Sequence, residues 1–149
     1  MIKLIIMKIY NFKKCISEMA KYSNKLGYAV DFKPDVEDRC DFQEKKIYIN
    51  SRKHAETRFY TLLHEIGHAC IYRYSAKSFA QDYPMFYQHS DGRVERSRAY
   101  KVSIIAEELE AWRRGRNIAR KKGLYVNDEK YDSVVTESIM TYIDWASSE

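Results

Sequence analysis

The segment Leu62–Ala69 reads L-L-H-E-I-G-H-A, and its His-Glu-x-x-His pattern constrains this chain more than any other feature. On a helix, His64 and His68 lie one turn apart and leave the same face. Two imidazoles so placed can bind one Zn²⁺ at ~2.0–2.1 Å each. Glu65 projects beside the ion, where a carboxylate can act as the general base for a metal-activated water. The segment therefore predicts a metal-binding helix and hydrolytic chemistry.

Length and composition predict one globular domain spanning residues 1–149. The chain has 149 residues, of which 45% are hydrophobic and only two are proline, so it can bury a core of its own. Its 26 basic and 21 acidic residues leave a net charge of +5, which mainly favours solubility. The densest basic run, 113–122, could contact nucleic acid, although a solvated helix end is the simpler interpretation.

The cysteines and the N-terminus predict a cytoplasmic protein that does not cross a membrane. Cys15, Cys40 and Cys70 are odd in number and widely spaced, which indicates reduced thiols rather than a disulfide framework. The apolar residues 1–9 are interrupted by two lysines and are too few for a signal sequence or a membrane span.

The residue patterns predict an α+β fold in which a small antiparallel sheet packs on the active-site helix. A first helix is expected over residues 11–26, with Asn11 as its N-cap and Gly27 at its end. Three short β-leaning runs separated by turn residues follow, at 29–32, 40–43 and 46–50. Short strands joined by tight turns usually pair in antiparallel fashion, hence the expected sheet.

Helices dominate the rest of the chain. A helix over about 52–73, capped by Ser51, carries the His-Glu-x-x-His segment and is apolar on several faces, as a buried helix is. Gly67 within it indicates either the close approach of another segment or a tolerated accident. Residues 75–96 read as a long loop and a candidate substrate rim. Two C-terminal helices are expected at about 97–122 and 129–146, the last with an apolar core stripe: Tyr131, Val135, Ile139, Tyr142 and Ile143.

A catalytic zinc site needs a third protein ligand, and the helix over 97–122 offers three glutamates. Its apolar stripe, which should mark the inward face, consists of Val102, Ile105, Leu109 and Trp112. At 100° per residue, Glu108 lies ~60° from Ile105, whereas Glu110 and Glu107 lie ~140° and ~160° away. Glu108 is therefore the predicted third ligand.

Two further residues remain alternatives for that ligand, namely His89 and Asp91 in the predicted loop. A third histidine in the metzincin spacing is absent, because Ile71 and Tyr74 occupy the positions of the glycine and the histidine. Zn²⁺ is the expected cofactor, although two histidines and a glutamate would also bind Mn²⁺, Co²⁺ or Ni²⁺.

The L-x-H-E-I-G-H segment, followed by E-L-E-A at Glu108–Ala111, resembles the gluzincin-type zinc metallopeptidases, in particular the ImmA/IrrE-type metallo-endopeptidases. The resemblance covers roughly residues 46–112. It implies a zincin-like fold, zinc held by His64, His68 and Glu108, Glu65 as general base, and a protein or peptide substrate. After Ala111 the chain departs from the family pattern, because Trp112 stands where an asparagine is usual.

The sequence also allows a second interpretation, in which the zincin-like fold serves for binding rather than cleavage. Such a protein would hold a structural or vestigial zinc and regulate a partner, for example a protein associated with nucleic acid. The presence of Glu65 favours the peptidase, because a structural zinc site does not require a general base.

Overall fold

The computed structural model describes residues 11–84 and 96–148. The alternative ligands His89 and Asp91 lie outside these ranges, as do the apolar residues 1–9. In the described part of the chain, no helix is long and apolar enough to cross a membrane. The three cysteines are not joined by disulfides, in agreement with the prediction of thiols.

The first helix, α1 (Phe12–Leu26), begins and ends where local sequence predicts. The Asn11 side chain accepts hydrogen bonds from the backbone N–H groups of Lys13 and Lys14, which otherwise have no partner in the first turn. Gly27 ends the helix at φ 99°, in the left-handed region that favours glycine. Between these caps, the buried face of α1 packs against the helix that carries the His-Glu-x-x-His segment.

The sheet consists of β1 (Ala29–Lys33), β2 (Arg39–Asp41) and β3 (Lys46–Asn50), in the order β1-β3-β2. β2 pairs with β3 in antiparallel fashion, but β1 runs parallel to β3, so the sheet is mixed rather than antiparallel throughout. The reason is that β3 inserts between the two earlier strands. The α+β class is confirmed, and only the direction of one pairing is corrected.

The helix that carries the His-Glu-x-x-His segment, α2 (Ala55–Cys70), is buried at every position from Phe59 onward, as the apolar residues on several of its faces predict. It begins after His54, so the prediction of Ser51 as its cap is wrong. The Ser51 N–H instead donates to the Lys33 carbonyl and extends the pairing of β1 with β3.

The predicted loop at 75–96 is helical in its first part. A π-helical turn (Ile71–Ser75) continues α2 into α3 (Ala76–Asp82), so this segment does not leave the helical layer until residue 83. The prediction of a loop is therefore wrong over residues 76–82, and residues 85–95 of the predicted substrate rim lie outside the described ranges.

The two C-terminal helices, α4 (Arg98–Lys121) and α5 (Asp128–Ser147), lie where they are predicted. The inward face of α4 differs from the predicted stripe, because Val102 and Leu109 are 58% and 46% exposed. The buried face is built from small and polar residues together with Trp112: Ser103, Glu107, Glu108, Ala111, Trp112, Gly115 and Ala119. The core stripe of α5 is correct at Tyr131 and Ile139 but not at Ile143, which is 39% exposed.

Two glycines allow α2 and α4 to cross in backbone contact. A methyl group at Gly67 would overlap the carbonyl of Ala111, and one at Gly115 would overlap the carbonyl of Leu63. Of the two interpretations of Gly67, the close approach of another segment is therefore correct. This crossing sets the spacing between the side chains that project from the two helices.

Candidate metal centre

The crossing of α2 and α4 brings together the three residues predicted as metal ligands. His64 Nε2 and His68 Nε2 lie 3.0 Å apart. Glu108 places Oε2 3.0 Å from His64 Nε2 and Oε1 3.3 Å from His68 Nε2. All three side chains are buried, so water does not separate them from one another. Two nitrogens and a carboxylate thus converge on one point inside the protein.

This donor set fits a divalent cation. Atoms bound at ~2.0–2.1 Å around a tetrahedral ion lie about 3.3–3.4 Å from one another, close to the separations observed. Hydrogen bonding within the described part of the chain leaves the cluster unsatisfied, because Glu108 Oε2 accepts no hydrogen bond there despite its short distance to His64. Imidazole and carboxylate donors in this number suit Zn²⁺, and the assignment of these residues as ligands remains a prediction.

Glu107 corrects the sequence prediction, which placed it on the far side of its helix. It is buried, and its Oε1 lies 2.6 Å from His68 Nδ1. A carboxylate on this nitrogen holds the proton there and leaves the lone pair of Nε2 directed at the cluster. The signal that sequence reasoning missed is a row at four-residue spacing in which Glu107 stands between small residues: Ser103, Ala111, Gly115 and Ala119. That row marks the face on which Glu107 lies.

Glu65 lies at the edge of the cluster, with Oε1 4.0 Å from His64 Nε2. Burial raises the pKa of its carboxyl group to about 8, because a carboxylate loses its hydration there. Burial likewise lowers the pKa of His64 to about 4, since it disfavours the imidazolium. Without a cation, the site therefore favours neutral forms of both groups near pH 7.

His68 and Glu108 are shifted in the opposite sense. Burial would lower the pKa of His68, but its contacts with Glu107 and Glu108 outweigh burial and hold the pKa well above the usual value. Burial would raise the pKa of Glu108, but its contacts with His64 and His68 hold it well below the usual range. In the metal-free protein, His68 is thus favoured in its protonated form, and its positive charge lies between the carboxylates of Glu107 and Glu108.

The cluster opens on one side to a cleft of about 850 Å³. His64, Glu65 and Glu108 line its floor, and α5 forms one wall through Tyr142 and neighbouring residues. Burial and a contact with Glu108 raise the pKa of Tyr142, so its hydroxyl remains a neutral donor at the cleft. The sequence places Tyr142 in the core stripe of α5 and does not single it out among the tyrosines that could stabilise an oxyanion.

The basic run at 113–122 is largely paired within the protein. Arg113 and Arg114 bind the carboxylate of Glu110, and Arg116 and Arg120 bind that of Asp128. The segment therefore offers less unpaired positive charge than its sequence indicates. Binding of nucleic acid through this run stays an untested prediction.

Comparison with known proteins identifies one family. The family model described as IrrE N-terminal-like domain, of the M78 peptidases, matches residues 20–121. The match spans the sheet, α2 and α4, and it includes all the residues of the donor set, whereas α5 lies beyond it. No curated protein and no solved structure is significantly similar to the chain.

Proposed function

The chain belongs to the M78 peptidase family of IrrE N-terminal-like domains, and we propose that it is a zinc-dependent endopeptidase with Glu65 as its general base. The observation that carries the proposal is the convergence of His64, His68 and Glu108 beside Glu65, at a point where an open cleft reaches His64, Glu65 and Glu108. A purely structural zinc site is usually closed by four protein ligands, whereas three ligands and an open side are typical of catalysis.

The donor set leaves Glu65 free to move a proton. A bound divalent cation would polarise the scissile carbonyl, make the attacking water more acidic and lower the pKa of Glu65. Glu65 then takes the proton of the attacking water and passes it to the leaving amine. Burial favours the first of these transfers, because a carboxylate with a raised pKa takes up a proton more readily than a solvated one.

Tyr142 is the proposed donor to the oxygen of the scissile carbonyl. Its hydroxyl is neutral, contacts Glu108 and lines the same cleft as His64 and Glu65. A donor aimed at the oxygen on which negative charge develops stabilises the transition state more than the bound substrate. The support for this role is the position of Tyr142 beside the donor set.

The metal content of the purified protein tests the proposal, with Glu108→Ala as the decisive variant. We expect one zinc per wild-type chain and a greatly weakened site in Glu108→Ala, because two imidazoles alone do not form a catalytic site. Glu110→Ala is the matched control, since Glu110 is on the same helix but pairs with arginines. No bound zinc in the wild-type protein after reconstitution would contradict the proposal.

The role of Glu65 is tested by Glu65→Gln with unfolded proteins and peptide libraries as substrates. We expect the variant to retain zinc and to lose activity by about 10²–10⁴-fold, the usual contribution of a general base. Full activity of the variant would show that another group takes the proton. A zinc-loaded wild-type protein that cleaves no substrate would favour the binding or regulatory interpretation instead.

A further inference from the structure

The two histidines of the cluster are supported in different ways. His68 has its far nitrogen held by Glu107, whereas His64 Nδ1 is buried and has no hydrogen-bond partner among the described residues. The indole of Trp112 instead stacks on the His64 ring, with centroids 4.0 Å apart and ring planes 23° from parallel. We infer that Trp112 is a positioning residue that orients His64 toward the metal by stacking, in place of the missing hydrogen bond.

Trp112 is itself held firmly enough to serve as such a support. It is 3% exposed, and the ring of Tyr131 packs edge-on against it at a centroid distance of 5.6 Å. The Tyr131 hydroxyl also donates a hydrogen bond to the backbone carbonyl of Trp112. The indole therefore cannot turn away from His64 without disturbing the packing between α4 and α5.

The physical reason lies in what fixes an imidazole ligand. A metal-binding histidine usually donates its second N–H to a carboxylate or carbonyl, which sets both the tautomer and the ring plane. A parallel aromatic face restricts rotation of the imidazole ring plane but accepts no hydrogen bond from the Nδ1–H. Loss of the indole should therefore free the ring of His64 to rotate, while His68 stays fixed by Glu107.

The inference rests on the proposed function, in that the group to be positioned is a metal ligand. The first measurement is zinc affinity, determined by competition with a chromophoric chelator, in folded variants of Trp112. We expect Trp112→Leu and Trp112→Ala to bind zinc about tenfold more weakly or worse, as is usual when ligand support is removed. Trp112→Phe keeps an aromatic face and should restore most of the affinity.

Trp145→Phe is the control, because Trp145 is the second of the two tryptophans and lies half-exposed on α5. This variant should bind zinc as the wild type does. It also leaves Trp112 as the only tryptophan of the chain. Co²⁺ quenches the fluorescence of nearby indoles, so titration with Co²⁺ should quench Trp112, and the concentration dependence should give the affinity of the site.

The two measurements separate the inference from the proposed function. If Co²⁺ does not quench Trp112, no metal binds beside His64, and both fall. If Co²⁺ quenches Trp112 but Trp112→Leu binds zinc as tightly as the wild type, the metal site stands and the positioning role is overturned. Equal weakening of zinc binding in Trp112→Phe and Trp112→Leu would also overturn it, because stacking would then not be the cause.

Circular dichroism establishes that each variant is folded. If Trp112→Ala unfolds, the difference in zinc affinity between Trp112→Leu and Trp112→Phe still tests the positioning role.

Discussion

Two consecutive glutamates of α4, Glu107 and Glu108, contact different nitrogens of the histidine pair. Glu108 faces the near nitrogens of both histidines, whereas Glu107 binds the far nitrogen of His68. Both can reach the cluster because one lies on each side of the line along which α4 faces α2. The consequence is that charge at position 107 should control metal affinity without Glu107 being a ligand.

We expect Glu107→Ala to weaken zinc binding by about 10–100-fold, because the support of one ligand and its negative charge are lost together. Glu107→Gln keeps an acceptor for the His68 N–H but not the charge, so its affinity should be intermediate. Equilibrium dialysis measures both values, and Glu137→Ala, which removes an exposed carboxylate from the rim of the same cleft, is the control. Wild-type affinity in Glu107→Ala would exclude the supporting role.

At the scale of elements, the site depends on how closely α2 and α4 cross. Alanine normally stabilises a helix relative to glycine, by about 1 kcal/mol at an interior position. At Gly67 and Gly115, replacing glycine by alanine should instead destabilise the protein, because the added methyl group meets a backbone carbonyl that cannot move unless its whole helix moves. The crossing therefore links fold stability to the distance between ligands.

Gly67→Ala and Gly115→Ala should each lower the free energy of unfolding by about 1–3 kcal/mol, the usual cost of overpacking a core. Gly67→Ala should also weaken zinc binding, since moving α4 away from α2 withdraws Glu108 from the histidines. Urea denaturation measures the stability, with Ser133→Ala at an exposed position of α5 as the control. A higher free energy of unfolding in Gly67→Ala would show that the crossing of α2 and α4 can accommodate the methyl group.

Helix boundaries could be predicted from the sequence because their signals are local. Asn11 caps α1 through its own side chain, and Gly27 ends it through its own backbone conformation. The His-Glu-x-x-His spacing is local as well, so the shared face of His64 and His68 follows from helix geometry alone. Ser51 is not a cap, and its N–H instead joins the sheet through the Lys33 carbonyl, a non-local contact that local patterns do not predict.

The inward face of α4 could not be predicted in the same way. The apolar residues predict a different face, because this helix turns small and acidic residues toward α2 and leaves Leu109 exposed. Hydrophobic periodicity locates a face that packs on a core, and here the packed face is also a polar site. Glu108 lies near the border of both faces, so the prediction that it points inward holds despite the incorrect stripe, whereas the prediction that Glu107 points away is wrong.

At the scale of the whole molecule, the protein carries a cluster of ionisable groups in its interior. α1, the sheet and α4 enclose α2, so that His64, Glu65, His68 and Glu108 are all buried. Buried charges cost stability unless they are paired or coordinate a metal. Metal binding should therefore stabilise the entire fold, because the ligands come from helices far apart in the sequence.

We expect removal of the metal with a chelator to lower the thermal midpoint of unfolding. A free zinc concentration 100 times the dissociation constant stabilises the folded state by about 2.7 kcal/mol, if unfolded chains do not bind it. Thermal scans of the zinc-loaded and chelator-treated protein measure the difference, and Glu108→Ala should show almost none. Identical midpoints for the wild type in both conditions would mean that no ion binds the folded site.

The stabilisation by zinc should shrink as the pH falls, and His68 sets the range. Its pKa is held above the usual value, so it must lose a proton to bind zinc, and the affinity drops about tenfold per pH unit below that pKa. In the metal-free protein the same raised pKa contributes stability at acid pH that is lost as the pH rises through the folded-state value. Acidification therefore narrows the difference between the thermal midpoints of the zinc-loaded and the metal-free protein.

His64 contributes little to this pH dependence. Because its pKa is about 4, protons compete with zinc for His64 only in strongly acid solution, so one proton should be displaced from the histidines per zinc near pH 6. Thermal midpoints with and without zinc between pH 5 and about 8 test this, and a gap that is constant across the range would show that His68 is not a ligand.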